Sequence, residues 1–287
     1  MAQTLIEDSW TGENVSIAEI ERELARLRDA SSEETAQPNL RTSVMTHIAW
    51  VPPAWETAAE ETLMGMAERH PSRTILLAPR RDEPDGLRAA LSVRCFPIGD
   101  RAVCGEVIDL KLCGTRAIAP ASIVLPLLIS DLPVFGRWRG EPSFGSAELD
   151  QMVGILDRFI VDSAEWGELR YAELAALFDR TAVSDIAWAR TAPWRVVLAA
   201  QWPAIATQEV QIRGPRAEAA LLRGWLSARL RRGIRAAEEA GEIGVRLGGE
   251  ELPAPRGPDR SPSDLLSAEL DSFGHDRVYE AAVSAAA

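Results

Sequence analysis

Any chemistry in this chain has to come from a few charged, thiol and aromatic side chains placed where apolar segments begin and end. His70, Ser72 and Arg73 stand together in Glu68–Pro79, ERHPSRTILLAP, and with Asp157 and Asp162 as bases they would compose a phosphate site. A lone histidine at a helix end more often caps carbonyl groups or faces solvent, which favours the non-catalytic reading. His47 and His275 fall in no ligand spacing, so no metal is expected. The chain has no G-x-G-x-x-G, no P-loop and no G-x-S-x-G. Dinucleotide, nucleotide and hydrolase chemistry therefore lack their phosphate cradles and nucleophile elbow, and no cofactor and no catalytic residue is expected.

The thiols are Cys95, Cys104 and Cys113, an odd set spaced nine apart without the close pairing of metal or thioredoxin-type sites. Small buried core residues are the expectation. Cys95 and Cys104 are predicted on neighbouring strands, so the three also stand as redox candidates.

Arginine, aspartate and tryptophan make the remaining candidates. Arg73 and Arg158 each open an apolar strand, where Asp157 and Asp162 would pair with them. An internal ion-pair network and a recognition cluster for a protein or an anionic sugar phosphate are both open readings, because buried charges persist only when paired. In Asp185–Arg195, DIAWARTAPWR, Trp188 and Trp194 flank Arg190 and Arg195, and Trp and Arg are the types most enriched at interface hot spots. Core placement is the expectation for at least one of these tryptophans. With Trp138 added, the partner-binding candidates are Arg73, Trp138, Asp157, Arg158, Asp162, Trp188, Arg190, Trp194 and Arg195.

At 287 residues and 46% hydrophobic, the chain can bury a substantial core. Its net charge of -12, from 43 acidic against 31 basic residues, argues against nucleic acid, whose binding is driven by basic charge. Met1–Trp10 has neither the basic start nor the apolar run of a secretion signal, and no segment is long and apolar enough to span a membrane. No membrane partner and a cytoplasmic location are the expectations.

The elements that must position these side chains read as follows. Ser16 and Glu19 form a capping box ahead of a helix whose Ile17, Ile20, Leu24 and Leu27 share one face, and Ser31–Pro38 reads as a polar linker, so the helix is an arm or a cover for its own domain. Arg41–Trp50, a helix over Glu56–Arg69 and a strand at Thr74–Ala78 predict a βαβ unit with a parallel strand pair. Leu87–Phe96 and Ala102–Leu112 predict a hairpin, and strands at Pro133–Trp138 and Arg158–Val161 bracket helices near Ser122–Leu128 and Ala147–Leu156. Farther on come helices at Leu169–Phe178, Pro193–Ala200 and Arg216–Arg232, strands at Thr207–Arg213 and Ile243–Leu247, a Gly/Pro-rich link over Gly248–Pro262, and a last helix capped by Ser261 and ending near Gly274. The fold class is α/β, a mixed sheet with flanking helices, plus a smaller α+β C-terminal domain. The predicted divisions are 1–38 for the helix and linker, 39–165 for the α/β domain and 166–287 for the α+β domain.

Six blocks in order, ERHPSRTILL, LPLLISDLPVFGRW, DRFIVDS, DIAWARTAPWR, LLRGWLSARL and SDLLSAELDSFGHDRVYEAA, resemble the OpcA family of glucose-6-phosphate dehydrogenase assembly proteins, from about Arg41 to Val283. The family often carries a tryptophan pair where this chain has Arg137–Trp138. The resemblance implies glucose-6-phosphate dehydrogenase as protein partner and a non-catalytic role as assembly factor and allosteric activator in the oxidative pentose phosphate pathway. The other functions weighed are a redox or metabolite sensor of the same pathway using the three cysteines, and a small-molecule-binding enzyme of unknown chemistry.

Overall fold

The fold is described from a computed structural model, over residues 6–35, 39–40, 43–64, 72–98, 101–257 and 260–287; side chains are described over the same ranges except 6–7, 31–35, 39–40, 64, 94–98 and 101–104. The chain divides into two compact units, Met1–Phe159 and Ile160–Ala287.

The first unit is built on a mixed sheet. Its strands are β1 (Ile6–Gly12), β2 (Asn39–Leu40), β3 (Thr46–Trp50), β4 (Arg73–Arg80), β5 (Gly86–Ile98), β6 (Arg101–Cys113) and β7 (Val134–Trp138), and they lie in the order β1-β5-β6-β4-β3-β7. β1 and β6 each pair antiparallel with β5, whereas β3 is parallel to β4 and β7, and β4 is parallel to β6. The short β2 pairs in parallel with Ala102–Val103, just before the stretch of β6 that β4 occupies. Helices α1 (Ile17–Thr35), α2 (Glu56–Met64), α3 (Pro120–Val124) and α4 (Ala147–Val153) complete the unit.

Period-two alternation sets the layers. Leu87, Ala89, Leu91 and Val93 of β5 are buried with Ile108, Leu110 and Leu112 of β6, and α1 packs against β5 with Ile20, Leu24 and Leu27 fully buried. Ala49, Val51, Leu76 and Val107 gather instead with Ala59 and Leu63 of α2. Successive residues of one strand thus feed two helix layers. The Ser16 side chain accepts the Glu19 N–H at 3.2 Å, as the capping box requires. The linker expected from Ser31 is corrected, since helix continues through Ser31–Thr35; of the two readings of α1, the cover for its own sheet holds, because its apolar stripe finds a matching stripe on β5.

The parallel β3–β4 pair joined through α2 and the β5–β6 hairpin are as the sequence predicts. The helix expected to Arg69 is described only to Met64, and His70 lies outside the described residues.

The division between the units falls within β8 (Arg158–Val161). β8 neighbours β9 (Ala182–Asp185), and a second sheet of order β11-β10-β12-β13 comprises β10 (Val210–Gly214), β11 (Arg235–Glu238), β12 (Gly244–Leu247) and β13 (Glu250–Glu251). Helices α5 (Tyr171–Ala175), α6 (Ile186–Arg190), α7 (Ala192–Ala199), α8 (Ala204–Thr207), α9 (Arg216–Leu230), α10 (Pro262–Leu270) and α11 (Arg277–Ala286) surround them. Trp194, Leu198, Ile205, Val210, Ile212, Leu222, Leu226, Val245 and Leu247 form this unit's core between α9 and the second sheet.

α10 is not the last helix: Asp276 accepts the N–H groups of Val278 at 2.9 Å and Tyr279 at 3.1 Å and starts α11 beyond Gly274. β9 and α6 escape periodicity because Ala182–Trp188 is buried on every side.

Candidate functional site

Arg73 begins β4 with a side chain only 2% exposed, and its surroundings define it. Its Nε donates to Glu106 Oε2 at 2.7 Å, and its Nη1 donates to Glu21 at 2.9 Å and to the Leu127 carbonyl at 2.7 Å. Arg28 Nη1 closes on the other Glu106 oxygen at 2.6 Å. Burial disfavours the Glu106 charge, yet the two guanidinium groups outweigh it and hold its carboxyl below the ordinary range. This is an internal network tying α1 to β4 and β6. The expected pairing of Arg73 with Asp157 or Asp162 does not form, because Glu106 stands opposite Arg73 in the β4–β6 register. Asp157 instead accepts the Val134 N–H at 2.8 Å and fastens the start of β7.

Trp138 is stacked on Trp50, ring centres 4.8 Å apart and planes 16° from parallel, with Phe159 edge-on at 6.3 Å. It is a core residue, as β7 and β3 place the two rings on paired positions. Arg158 is likewise buried.

The second unit brings several candidates together. Arg190, at the end of α6, donates Nη1 to Asp162 Oδ1 at 2.9 Å and Nη2 to Asp162 Oδ2, and the same Nη1 reaches Glu218 at 3.1 Å. Burial weakens the Arg190 charge, but these two carboxylates more than restore it and push its pKa upward. Beside this triad lies Asp185, fully buried. It caps α6 by accepting Ala187 N–H at 2.8 Å, and it takes the N–H of Ser163 at 3.0 Å and its hydroxyl at 2.6 Å. Ser163 also meets the Tyr171 hydroxyl at 3.1 Å. Burial first, and the nearby Asp162 charge second, raise Asp185 to a pKa of about 7 against those three hydrogen bonds. The Tyr171 phenol is raised well above its usual value, chiefly by burial. Ser163, Tyr171, Asp185 and Glu218 were not among the predicted site residues; the Asp ahead of an apolar helix start was the available signal at Asp185.

Arg195 follows a different course. Its guanidinium lies 3.6 Å from the centre of the Trp188 ring, and it forms no ion pair among the described residues. Burial lowers its pKa, opposed by the fields of Asp276 and Glu269. Trp188 itself is buried and donates Nε1 to Asp276 at 3.1 Å. Trp194 is core. On the same turns of chain, Val196 and Trp202 are 71% and 68% exposed, and Trp202 donates its N–H to the Ala199 carbonyl. Neither was predicted: Val196 lies off the Trp194/Leu198 face, and Trp202 falls in a turn without periodicity.

Cys113 is buried, and burial raises its thiol pKa, which suppresses the thiolate. Cys95 and Cys104 face each other in the β5–β6 register, while their side chains lie outside the described ones. Among the described residues there is no cluster of ligating side chains fit for a metal, and no helix is long and apolar enough to cross a membrane.

Comparison with known proteins bears on this arrangement. Residues 64–178, which carry Arg73, Trp138, Asp157, Arg158, Asp162 and Tyr171, match the family described as glucose-6-phosphate dehydrogenase subunit N-terminal domain. Two curated proteins bearing the name OpcA, with an OxPP-cycle designation, are similar. That of Nostoc punctiforme is 29% identical over 184 residues, and that of Synechocystis is 28% identical over 182. Each alignment takes in 58% of this chain but only 39% and 38% of the respective relative's length. Through residues 64–178 the chain is similar to the OpcA glucose-6-phosphate dehydrogenase assembly family.

Proposed function

We propose that this chain acts in the cytoplasm, without chemistry of its own, as an assembly factor and allosteric activator of glucose-6-phosphate dehydrogenase, supporting the oxidative pentose phosphate pathway. The observation that carries this reading is the match of residues 64–178 to a family described by that enzyme's name. The mechanism is population shift: the chain binds the oligomeric, active form more tightly than the inactive one. A hundredfold preference contributes about 2.7 kcal/mol to the active form.

Burial narrows the contact candidates. Arg73, Trp138, Arg158, Asp162, Trp188 and Trp194 are all buried, which supports scaffold roles for them. Arg195, stiffened by its stacking on Trp188, with exposed Val196 next to it in sequence and exposed Trp202 seven residues on, has the guanidinium character of an interface anchor. Co-purification of the tagged chain with the same organism's dehydrogenase, followed by activity and sizing measurements with both proteins at micromolar concentration, tests the proposal. Higher activity or a larger species is expected; no change in either rejects it.

A redox sensor is the second reading, favoured by the facing positions of Cys95 and Cys104. Directly opposed residues in an antiparallel pair stand about 4.5–5.5 Å apart between α-carbons, within disulfide reach. A disulfide-exchange partner would take the two electrons and two protons released. The Cys95→Ser/Cys104→Ser variant is expected to act on the dehydrogenase equally under oxidising and reducing conditions. Redox control in the parent that vanishes in the variant would establish the sensor instead.

A further inference from the structure

The second sheet of the Ile160–Ala287 unit bounds a cavity of about 750 Å³, lined by Gln211, Arg213, Arg223, Arg235, Glu239 and Arg246 among others. That volume lies within the roughly 300–1,000 Å³ typical of small-molecule sites. Four arginines on the wall of one cavity stand out in a chain whose net charge is -12.

The strand register explains how they converge. Gln211 of β10 stands opposite Arg235 of β11 on one side and Arg246 of β12 on the other, so the three form a row across the sheet. Arg213, two residues on, shares the face of Gln211, while Val210, Ile212, Val245 and Leu247 turn to the core. Arg213 faces Gly244 across the β10–β12 pair, and a Cβ at Gly244 would come within 2.7–2.8 Å of Nε, Cζ and Nη2 of Arg213. Glycine there lets the guanidinium lie flat across the neighbouring strand, where it reaches the group that binds Arg246.

That group is the Glu251 carboxylate of β13. Arg213 donates to it from Nη2 at 2.6 Å and Nη1 at 3.1 Å, and Arg246 Nε lies 3.3 Å from its Oε2. The Glu251 carboxylate therefore occupies the point where two guanidinium forks meet, while Glu239 Oε2 on the same wall lies 3.6 Å from Arg213 Nε. All three side chains are more than two-fifths exposed, so these pairs are of the weak, solvent-screened kind. A phosphoryl group brings a second negative charge and a third oxygen to the same point, and Arg forks match it in a bidentate fashion.

We propose that this face binds the phosphoryl group of a small molecule, which displaces the Glu251 carboxylate from between Arg213 and Arg246. Arg235, which pairs with Glu209 at 3.2 Å, and Arg223, which donates to the Ala286 carbonyl at 2.9 Å, complete the basic side of the wall. The inference is independent of the dehydrogenase reading, because binding is measured on the isolated full chain.

Isothermal titration at fixed ionic strength, with inorganic phosphate and with glycerol 2-phosphate as probes, tests it. Saturable binding is expected for the parent, weakened about tenfold in Arg213→Gln and in Arg246→Gln, a loss of about 1.4 kcal/mol. Glu251→Gln removes the competing charge and is expected to tighten binding severalfold, an effect in the opposite direction that unfolding cannot mimic. Tighter binding of the ester identifies a phosphorylated metabolite as the occupant; equal binding identifies free phosphate; either upholds the site. No saturable heat in the parent, equal affinity in the parent and both well-folded arginine variants, or weaker binding in a folded Glu251→Gln chain would overturn it.

Discussion

Arg190 and Asp162 meet fork to fork, Nη1 on Oδ1 at 2.9 Å and Nη2 on Oδ2, although 28 residues separate them in sequence. The Asp162 side chain is 6% exposed and that of Glu218, which shares Nη1, is 7% exposed, whereas the Arg190 side chain is 36% exposed. Two buried carboxylates therefore depend on one arginine that is partly open to solvent. A few residues on, Arg195 rests on Trp188 without an ion pair among the described residues. The two arginines of one short block serve different ends.

Their truncations should separate accordingly. Arg190→Ala leaves Asp162 and Glu218 buried and uncompensated and is expected to lower fold stability by about 2–4 kcal/mol, toward the low end of a broken buried pair because water reaches the arginine. Arg195→Ala loses a cation–π contact of about 0.5–2 kcal/mol and should melt close to the parent. Affinity for the dehydrogenase should fall about tenfold in Arg195→Ala, about 1.4 kcal/mol. Thermal melts paired with binding titrations check both; equal, large melting losses in the two variants would make the whole block scaffold.

Asp185 makes stability depend on pH. Its folded pKa of about 7 lies above its ordinary value of 3.8, so between those values the folded chain holds a proton that the unfolded chain has released. The folded state binds more protons, and the stability from this group is full below about pH 4 and is lost as pH rises to about 7, at up to about 1.4 kcal/mol per pH unit. Denaturant midpoints of the parent and Asp185→Asn between pH 5 and 8 measure it. The parent should lose stability relative to the variant across that range; parallel curves would contradict the assignment.

Glu106 acts at the other end of the scale. Its folded pKa is lowered by Arg73 and Arg28, so its contribution is present above the ordinary glutamate range and disappears as pH falls below it. Glu106→Gln should therefore be less stable than the parent at neutral pH, with the gap closing on acidification, as equilibrium unfolding at pH 7 and pH 3 would report.

Gly224 lies where α9 packs closely on α11. A Cβ there would sit 2.1 Å from the Ala282 carbonyl oxygen and 3.0 Å from the Ala286 Cβ, and the first of these is backbone that cannot rotate aside. Gly224→Ala, although a gain in helix propensity of up to about 1 kcal/mol, is expected to be destabilising overall by about 1–3 kcal/mol. Circular-dichroism melting decides the sign.

The local features were legible in the chain itself. The Ser16/Glu19 box, the Ile20/Leu24/Leu27 stripe, the alternation through β5 and β6 and the Leu222/Leu226 face of α9 follow from hydrogen-bonding geometry and periodicity over a few residues, which sequence spacing expresses directly. The blocks ERHPSRTILL, LPLLISDLPVFGRW and DRFIVDS, legible as a linear pattern, fall within the residues 64–178 that match the family model. Partnership was decided only in three dimensions. Arg73 chooses Glu106 because β4 and β6 align them, and Arg190 chooses Asp162 because helix α6 carries it there. Whether a tryptophan is core, as Trp138 is on Trp50, or open to solvent, as Trp202 is, depends on what the rest of the chain stacks upon it. Likewise Arg213, Arg235 and Arg246 are scattered over 34 positions and become one wall only when strand register sets them side by side. Charge pairing and burial are long-range consequences of topology, and no spacing rule within the chain encodes them.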